Sequence, residues 1–192
     1  MLMKKILSLL TVIILIPACK KSSTPTNVLH KIGDSTQGGI VAYILQLGDP
    51  GYDVGQAHGL IAATGDQGTD TQWWNGSNVT TGTTGTALGT GSANTNAIIN
   101  AQGIPIGLTY AANLCRNYHG AGYTDWFLPS RDELNKLFIN EKEVGGFGDY
   151  IYWSSSEFNA IYAWSQLFDD TYGNQGNLYK SAFCHVRPIR AF

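Results

Sequence analysis

The chain has 192 residues, of which 14% are charged and 43% hydrophobic, and its formal net charge is −2. Weak acidity with no clustered basic face excludes nucleic acid as a partner, because a phosphate backbone demands such a face. Five Trp, ten Tyr and 23 Gly point instead to short strands, many turns and aromatic packing.

The chain begins with Lys4-Lys5, an apolar run from Ile6 to Ile16, and then Pro17-Ala18-Cys19. A charged start, a short apolar stretch and a small residue before the cut describe an export signal. The run is well short of the ~20 residues that span a bilayer as a helix. The tail resembles a bacterial lipoprotein signal, in which residues 1–18 are removed and Cys19 is lipidated. An ordinary secretory signal with a free Cys19 is the alternative. A multiply acylated Cys19 would hold the chain on a membrane more firmly than one acyl chain could, so the expected location is the bacterial cell envelope, at the outer membrane and surface-exposed. Loss of Lys4 and Lys5 takes the formal charge from 12 − 14 = −2 to 10 − 14 = −4. Residues 19–30 are polar, include Pro25 and have no period, which reads as a tether. Residues 31–192 are long enough for one core and form a single domain.

Gly38 to Leu45 and His58 to Ala63 read as strands, separated by the turn Gly48-Asp49-Pro50-Gly51. Residues 64–92 are Thr- and Gly-rich with no period, a long irregular loop anchored by Trp73-Trp74. Asn94 or Thr95 can cap a helix running through Ala101. Tyr110, Ala111, Leu114, Cys115 and Tyr118 recur at helical spacing, giving about three turns. Ser130-Arg131-Asp132-Glu133 is a capping box, after which Leu134, Leu137 and Phe138 face the core and Gly145-Gly146 stops the helix. Ile151–Ser155, Ala163–Phe168 and Ala182–Arg190 then read as antiparallel strands. The order is α+β, with the last strand at the terminus. Cys115 and Cys184 could pair in an exported protein, but Cys115 fits better as a small buried hydrophobe.

The segments Gly122-Tyr123-Thr124-Asp125-Trp126-Phe127-Leu128-Pro129-Ser130-Arg131-Asp132-Glu133-Leu134, Trp153-Ser154-Ser155-Ser156-Glu157, Ala163-Trp164 and Val186-Arg187-Pro188-Ile189-Arg190 resemble the C-terminal domain of Legionella collagen-like proteins. The resemblance covers residues 31–192. It implies a C-type-lectin-like fold: two helices on a small twisted antiparallel sheet, termini close together, and a long irregular loop region bearing the ligand surface. Family members are non-enzymatic adhesins or unassigned surface proteins, some linked to sulfated polysaccharides. A narrower resemblance is to variable proteins diversified by retroelements on the same fold, where template Asn codons become NNC or NNT. Such codons exclude Lys, Glu, Gln, Met and Trp. Between the frame residues stand Phe158, Asn159, Ile161, Tyr162, Ser165, Leu167, Asp169, Asp170, Tyr172, Asn174, Asn177, Leu178, Tyr179, Ser181, Phe183, Cys184 and His185, all permitted. Gln166, Gln175 and Lys180 belong to the frame, as do Trp153, Trp164 and residues 187–192.

The expected ligand-binding residues are therefore Phe158, Asn159, Ile161, Tyr162, Ser165, Asp169, Asp170, Tyr172, Asn174, Asn177, Tyr179, Ser181, Phe183 and His185, with a protein or polysaccharide as partner. Tyr and Phe give large rigid contacts at low entropy cost, while Asn, Ser and Asp give adaptable hydrogen bonds. The alternative for Phe158, Ile161 and Leu167 is a place in the strand core, which for Leu167, between Trp164 and Phe168, reads equally well. Neither metal nor cofactor is expected: His30, His58, His119 and His185 are scattered, and Asp169-Asp170 reads as an exposed acidic turn. The Glu-Pro-Asn and Gln-Pro-Asp loops of calcium-dependent lectins do not occur. Residues 126–133 also resemble a segment of formylglycine-generating enzymes, but that chemistry needs a closely placed reactive Cys pair. A purely structural envelope protein is the other alternative.

Overall fold

The computed structural model describes residues 30–104, 107–169 and 172–192. The signal, most of the tether with Cys19, and Asp170 lie outside the described residues. Strands β1 (Ser35–Thr36), β2 (Gly39–Ile44), β3 (Gly59–Ala63) and β4 (Gly68–Thr71) come first. Helices α1 (Gly91–Gln102), α2 (Ala111–Asn117), α3 (Arg131–Ile139) and α4 (Glu141–Val144) follow. Then come β5 (Ile151–Glu157), β6 (Tyr162–Leu167), β7 (Gln175–Tyr179), β8 (Cys184–Val186) and β9 (Ile189–Ala191). The α+β expectation holds, but among the described residues four α-helices stand where two were expected, and two sheets, ordered β1-β2-β3-β9 and β4-β8-β5-β6-β7, in place of one small sheet. All pairs are antiparallel except β5 with β8.

Strand β3, Gly-Leu-Ile-Ala-Ala, has no polar residue and is buried throughout, as a central strand covered on both faces must be. Leu60 and Ala62 join Leu134 and Leu137 of α3 in one apolar cluster, while Ile61 and Ala63 pack with Trp126 in another. Helix α3 starts where the capping box places it. The Ser130 hydroxyl accepts from Glu133 N and the Glu133 carboxylate accepts from Ser130 N. That carboxylate is buried and also accepts from Gly89 N at 2.8 Å; desolvation raises its pKa against the lowering pull of these donors.

Helix α1 begins before Asn94 and Thr95, and neither caps it. Asn94 instead donates to Gly85 O at 2.7 Å, and the Thr95 hydroxyl accepts from Leu128 N at 3.0 Å. Helix α2 is two turns rather than three. The single strand expected over Ala182–Arg190 divides at Arg187-Pro188: β8 lies in the second sheet and β9 in the first. Proline lacks the N–H that a continuous ladder needs. The buried Arg187 guanidinium at this crossing binds Asp66 at 2.7 Å and Ala63 O at 3.2 Å, and donates to Gly146 O. Within the span expected to be one irregular loop, β4 pairs with β8, and the Trp73 indole is fully buried, donating to Ser154 O at 2.7 Å. His30 meets Phe192 edge-on with ring centroids 5.0 Å apart, so the described start and the C-terminus are neighbours.

Candidate functional site

Strands β5, β6 and β7 carry most of the irregular residues, and their register decides which side chains meet. Lys180 N donates to Ile161 O and Leu167 N to Asn174 O. Hydrogen-bonded pairs alternate along an antiparallel ladder, so Ala163–Leu178 and Ser165–Gly176 are bonded pairs as well. Tyr162–Tyr179, Trp164–Asn177 and Gln166–Gln175 are then the non-bonded pairs, whose side chains stand closer on one face. The Tyr162 and Tyr179 rings lie 4.5 Å apart, and Gln175 Nε2 donates to Gln166 Oε1 at 3.1 Å. Side-chain hydrogen bonding with Tyr179 raises the Tyr162 pKa. Phe158 meets Trp164 edge-on at 5.4 Å, and the Arg131 guanidinium sits 5.0 Å from the Trp164 ring centre. Phe158, Tyr162, Trp164, Asn177, Tyr179 and Arg131 thus form one aromatic, polar-edged face.

The roots of this face are locked from beneath. Glu157 and Lys180, chain neighbours of Phe158 and Tyr179, are both buried and form an ion pair at 2.5 Å. The Glu157 carboxylate also accepts from Thr81 N at 2.9 Å and Gly82 N at 3.0 Å, and Lys180 Nζ donates to Val79 O at 3.0 Å. This pair therefore pins the Thr- and Gly-rich loop to the sheet. The Ser-rich segment of β5 ties in the other recognisable block: Ser155 N donates to Pro129 O at 2.7 Å, and Arg131 N to Ser156 Oγ at 3.0 Å.

The remaining expected ligand residues do not gather here. Ser165 is only 4% exposed, opposite Trp153 and Gly176 on the other face of β6, where it lines a shallow depression with Leu167 and Leu178. His185 is half-buried on β8, stacked on Tyr150 at 4.0 Å and bonded to Asp66 at 2.8 Å beside Tyr152 and Arg187. Cys184, one of the irregular residues, is core. Asn159 shapes the β5–β6 turn, its side chain accepting from Ile161 N at 2.8 Å and Tyr162 N at 2.9 Å, while Ile161 is exposed. Asp169 accepts from Tyr172 N at 2.6 Å in the β6–β7 connection, where Tyr172 and Asn174 are exposed. Ser181 and Phe183 are exposed in the β7–β8 connection. Two members of the face, Trp164 and Arg131, stand outside the irregular set that sequence texture singles out. Sequence texture assigns Trp164 to the frame, although its spacing of two from Tyr162 puts both on one side of a strand. No local signal places Arg131 there.

A second concavity, of about 380 Å³, opens against the other sheet between Leu60, Leu88, Phe127 and Phe192, with His58, Asp125 and Glu133 on its wall. Among the described residues no group of three or more His, Cys, Asp or Glu could hold a metal ion, and no helix is long and apolar enough to cross a membrane. Cys115 and Cys184 are free and buried in the same apolar cluster. Burial pushes the Cys184 thiol up to about 12 and the Cys115 thiol well above its ordinary value. Among known proteins, the family model of the Lcl C-terminal domain matches residues 62–190. No curated protein matches the chain.

Proposed function

The chain belongs to the Lcl C-terminal domain family, and from that premise we propose that it is an exported, lipid-anchored surface protein that binds an external ligand. The domain is read as C-type-lectin-like, with Cys19 as the lipid site and adhesion as the role. The observation that carries this reading is the face of Phe158, Tyr162, Trp164 and Tyr179, which holds half-exposed aromatic rings on a ladder locked by the buried Glu157–Lys180 pair. Rigid aromatics on a fixed frame lose little entropy on binding. Buried thiols with raised pKa values are poor nucleophiles, which favours recognition over a thiol-dependent enzyme.

The diversification reading gains support from where the frame residues sit. Glu157, Trp164, Gln166, Gln175 and Lys180 cannot be encoded by NNC or NNT, and all take part in contacts of this sheet. Buried Ser165 and Cys184 weigh against it. Flanking DNA that lacks a reverse transcriptase and an AAC-rich near-copy of the 3′ end would sink it. For the binding reading, the full-length chain is screened on arrays of glycans and of envelope proteins, and any ligand is footprinted with hydroxyl radicals. Phe158, Tyr162, Trp164 and Tyr179 should be protected while Tyr52 stays reactive; protection elsewhere alone would refute the assignment.

A further inference from the structure

The five-stranded sheet ends on β7, and the outward edge of that strand is bare among the described residues. The ladder to β6 uses the backbone of Asn174, Gly176, Leu178 and Lys180. The N–H and C=O of Gln175 and Asn177, and the N–H of Tyr179, therefore point away from the sheet. Tyr179 O is taken by Ala182 N at 2.7 Å. Other edges are blunted: β1 has only two residues, β4 shifts register between Gly68 and Thr71, and the three-residue β9 is bridged by Phe127. The sequence Gln175-Gly176-Asn177-Leu178-Tyr179 has no charge and no proline, and its register with β6 is unbroken. Natural sheets rarely leave such an edge unprotected.

Both flanks of the edge are built for alternating side chains. On one face stand Tyr179 and Asn177 with the aromatic pair. On the other is a depression of about 150 Å³ bordered by Ile151, Leu167 and Leu178. Gly176 opens it, since a Cβ there would meet nothing within 4 Å. Resting on the reading of this sheet end as the ligand surface, we propose that β7 takes an extended segment of a partner protein as an added strand. Main-chain hydrogen bonds would supply affinity, and the two flanks would sort alternate side chains. Self-pairing of two copies about Asn177 would set Tyr179 opposite the polar Gln175. A foreign apolar side chain matches the aromatic end of the edge better.

The probe is a displayed library of short random peptides, selected on the full-length acylated chain in detergent. Asn177→Pro removes an outward N–H and spares the ladder to β6. Peptides of alternating pattern should enrich on the wild type and lose about tenfold or more in affinity on the variant, with exchange of the Gln175, Asn177 and Tyr179 amides slowed by bound peptide. N-methylation of alternate peptide amides should abolish binding with the protein untouched, which keeps the test valid if the variant folds poorly. No enrichment, or binding indifferent to both changes, overturns the proposal. A wild-type dimer that Asn177→Pro dissolves would also overturn it, giving the edge to a second copy. A ligand lost in Tyr162→Ala/Tyr179→Ala but kept in Asn177→Pro would leave the surface reading standing and remove strand addition alone.

Discussion

Replacing Lys180 with Met should destabilise the domain strongly although no exposed atom changes. The ammonium and its partner carboxylate are almost completely out of water, at 0% and 1% side-chain exposure. Removing one member of such a pair leaves an uncompensated buried charge, which costs about 3–5 kcal/mol. Thr81 N and Gly82 N still donate to Glu157, so the loss belongs at the lower end, near ~3 kcal/mol. For a domain of this size each kcal/mol moves the melting temperature by ~2–4 °C, so a fall of ~6–12 °C is expected. Urea unfolding with an unchanged m-value would measure the free energy directly. The double variant Lys180→Met/Glu157→Gln removes the stranded charge and should recover part of the loss, a non-additivity typical of contacting residues. Because the pair roots Phe158 and Tyr179, Lys180→Met should also weaken ligand capture. A cost under ~1 kcal/mol, or strict additivity in the double variant, would refute the reasoning.

Gly91→Ala should be poorly tolerated at the start of α1. The added Cβ would clash with the buried Glu133 Oε2 and lie 2.9 Å from Leu128 O, so a marked drop in melting temperature is expected. Thiol titration of the native chain should find Cys115 and Cys184 unreactive at pH 8 and both reactive after denaturation, with no third thiol if Cys19 is lipidated. Asp125 takes two hydrogen bonds from Arg190, which hold its carboxyl below the usual range. A depressed folded pKa contributes stability above the unfolded value of ~3.9 and loses it as pH falls through the folded one. Asp125→Asn should therefore be less stable at neutral pH and show a shallower acid limb below pH ~4; an unchanged acid limb would count against the pair.

The parts of the fold legible in the sequence are those set by neighbours along the chain. The capping box at Ser130–Glu133 and the wholly apolar β3 are local patterns with one physical meaning each. The strand β7 was not legible, because Gln-Gly-Asn-Leu-Tyr alternates weakly and owes its conformation to the ladder with β6. At the division of β8 from β9, Arg187 reaches Asp66, a contact between residues far apart in sequence that leaves no local sign. The candidate site was half legible. Composition singles out Phe158, Tyr162 and Tyr179, but texture alone does not say which irregular residues share a face with them, since that is decided by register. The Glu157–Lys180 pair joins residues whose separate positions carry no local sign of each other.

The most direct measurement compares wild-type protein with Tyr162→Ala/Tyr179→Ala for affinity toward the captured ligand and for melting temperature. The contact between these half-exposed rings contributes ~0.5–1.5 kcal/mol beyond the area they bury, so its loss alone lowers melting by ~1–6 °C, and the double variant should remain folded. If the aromatic face is the ligand surface, affinity drops about tenfold or more while the fold persists. Undiminished affinity, or a collapse of stability that marks the two rings as core, would contradict it.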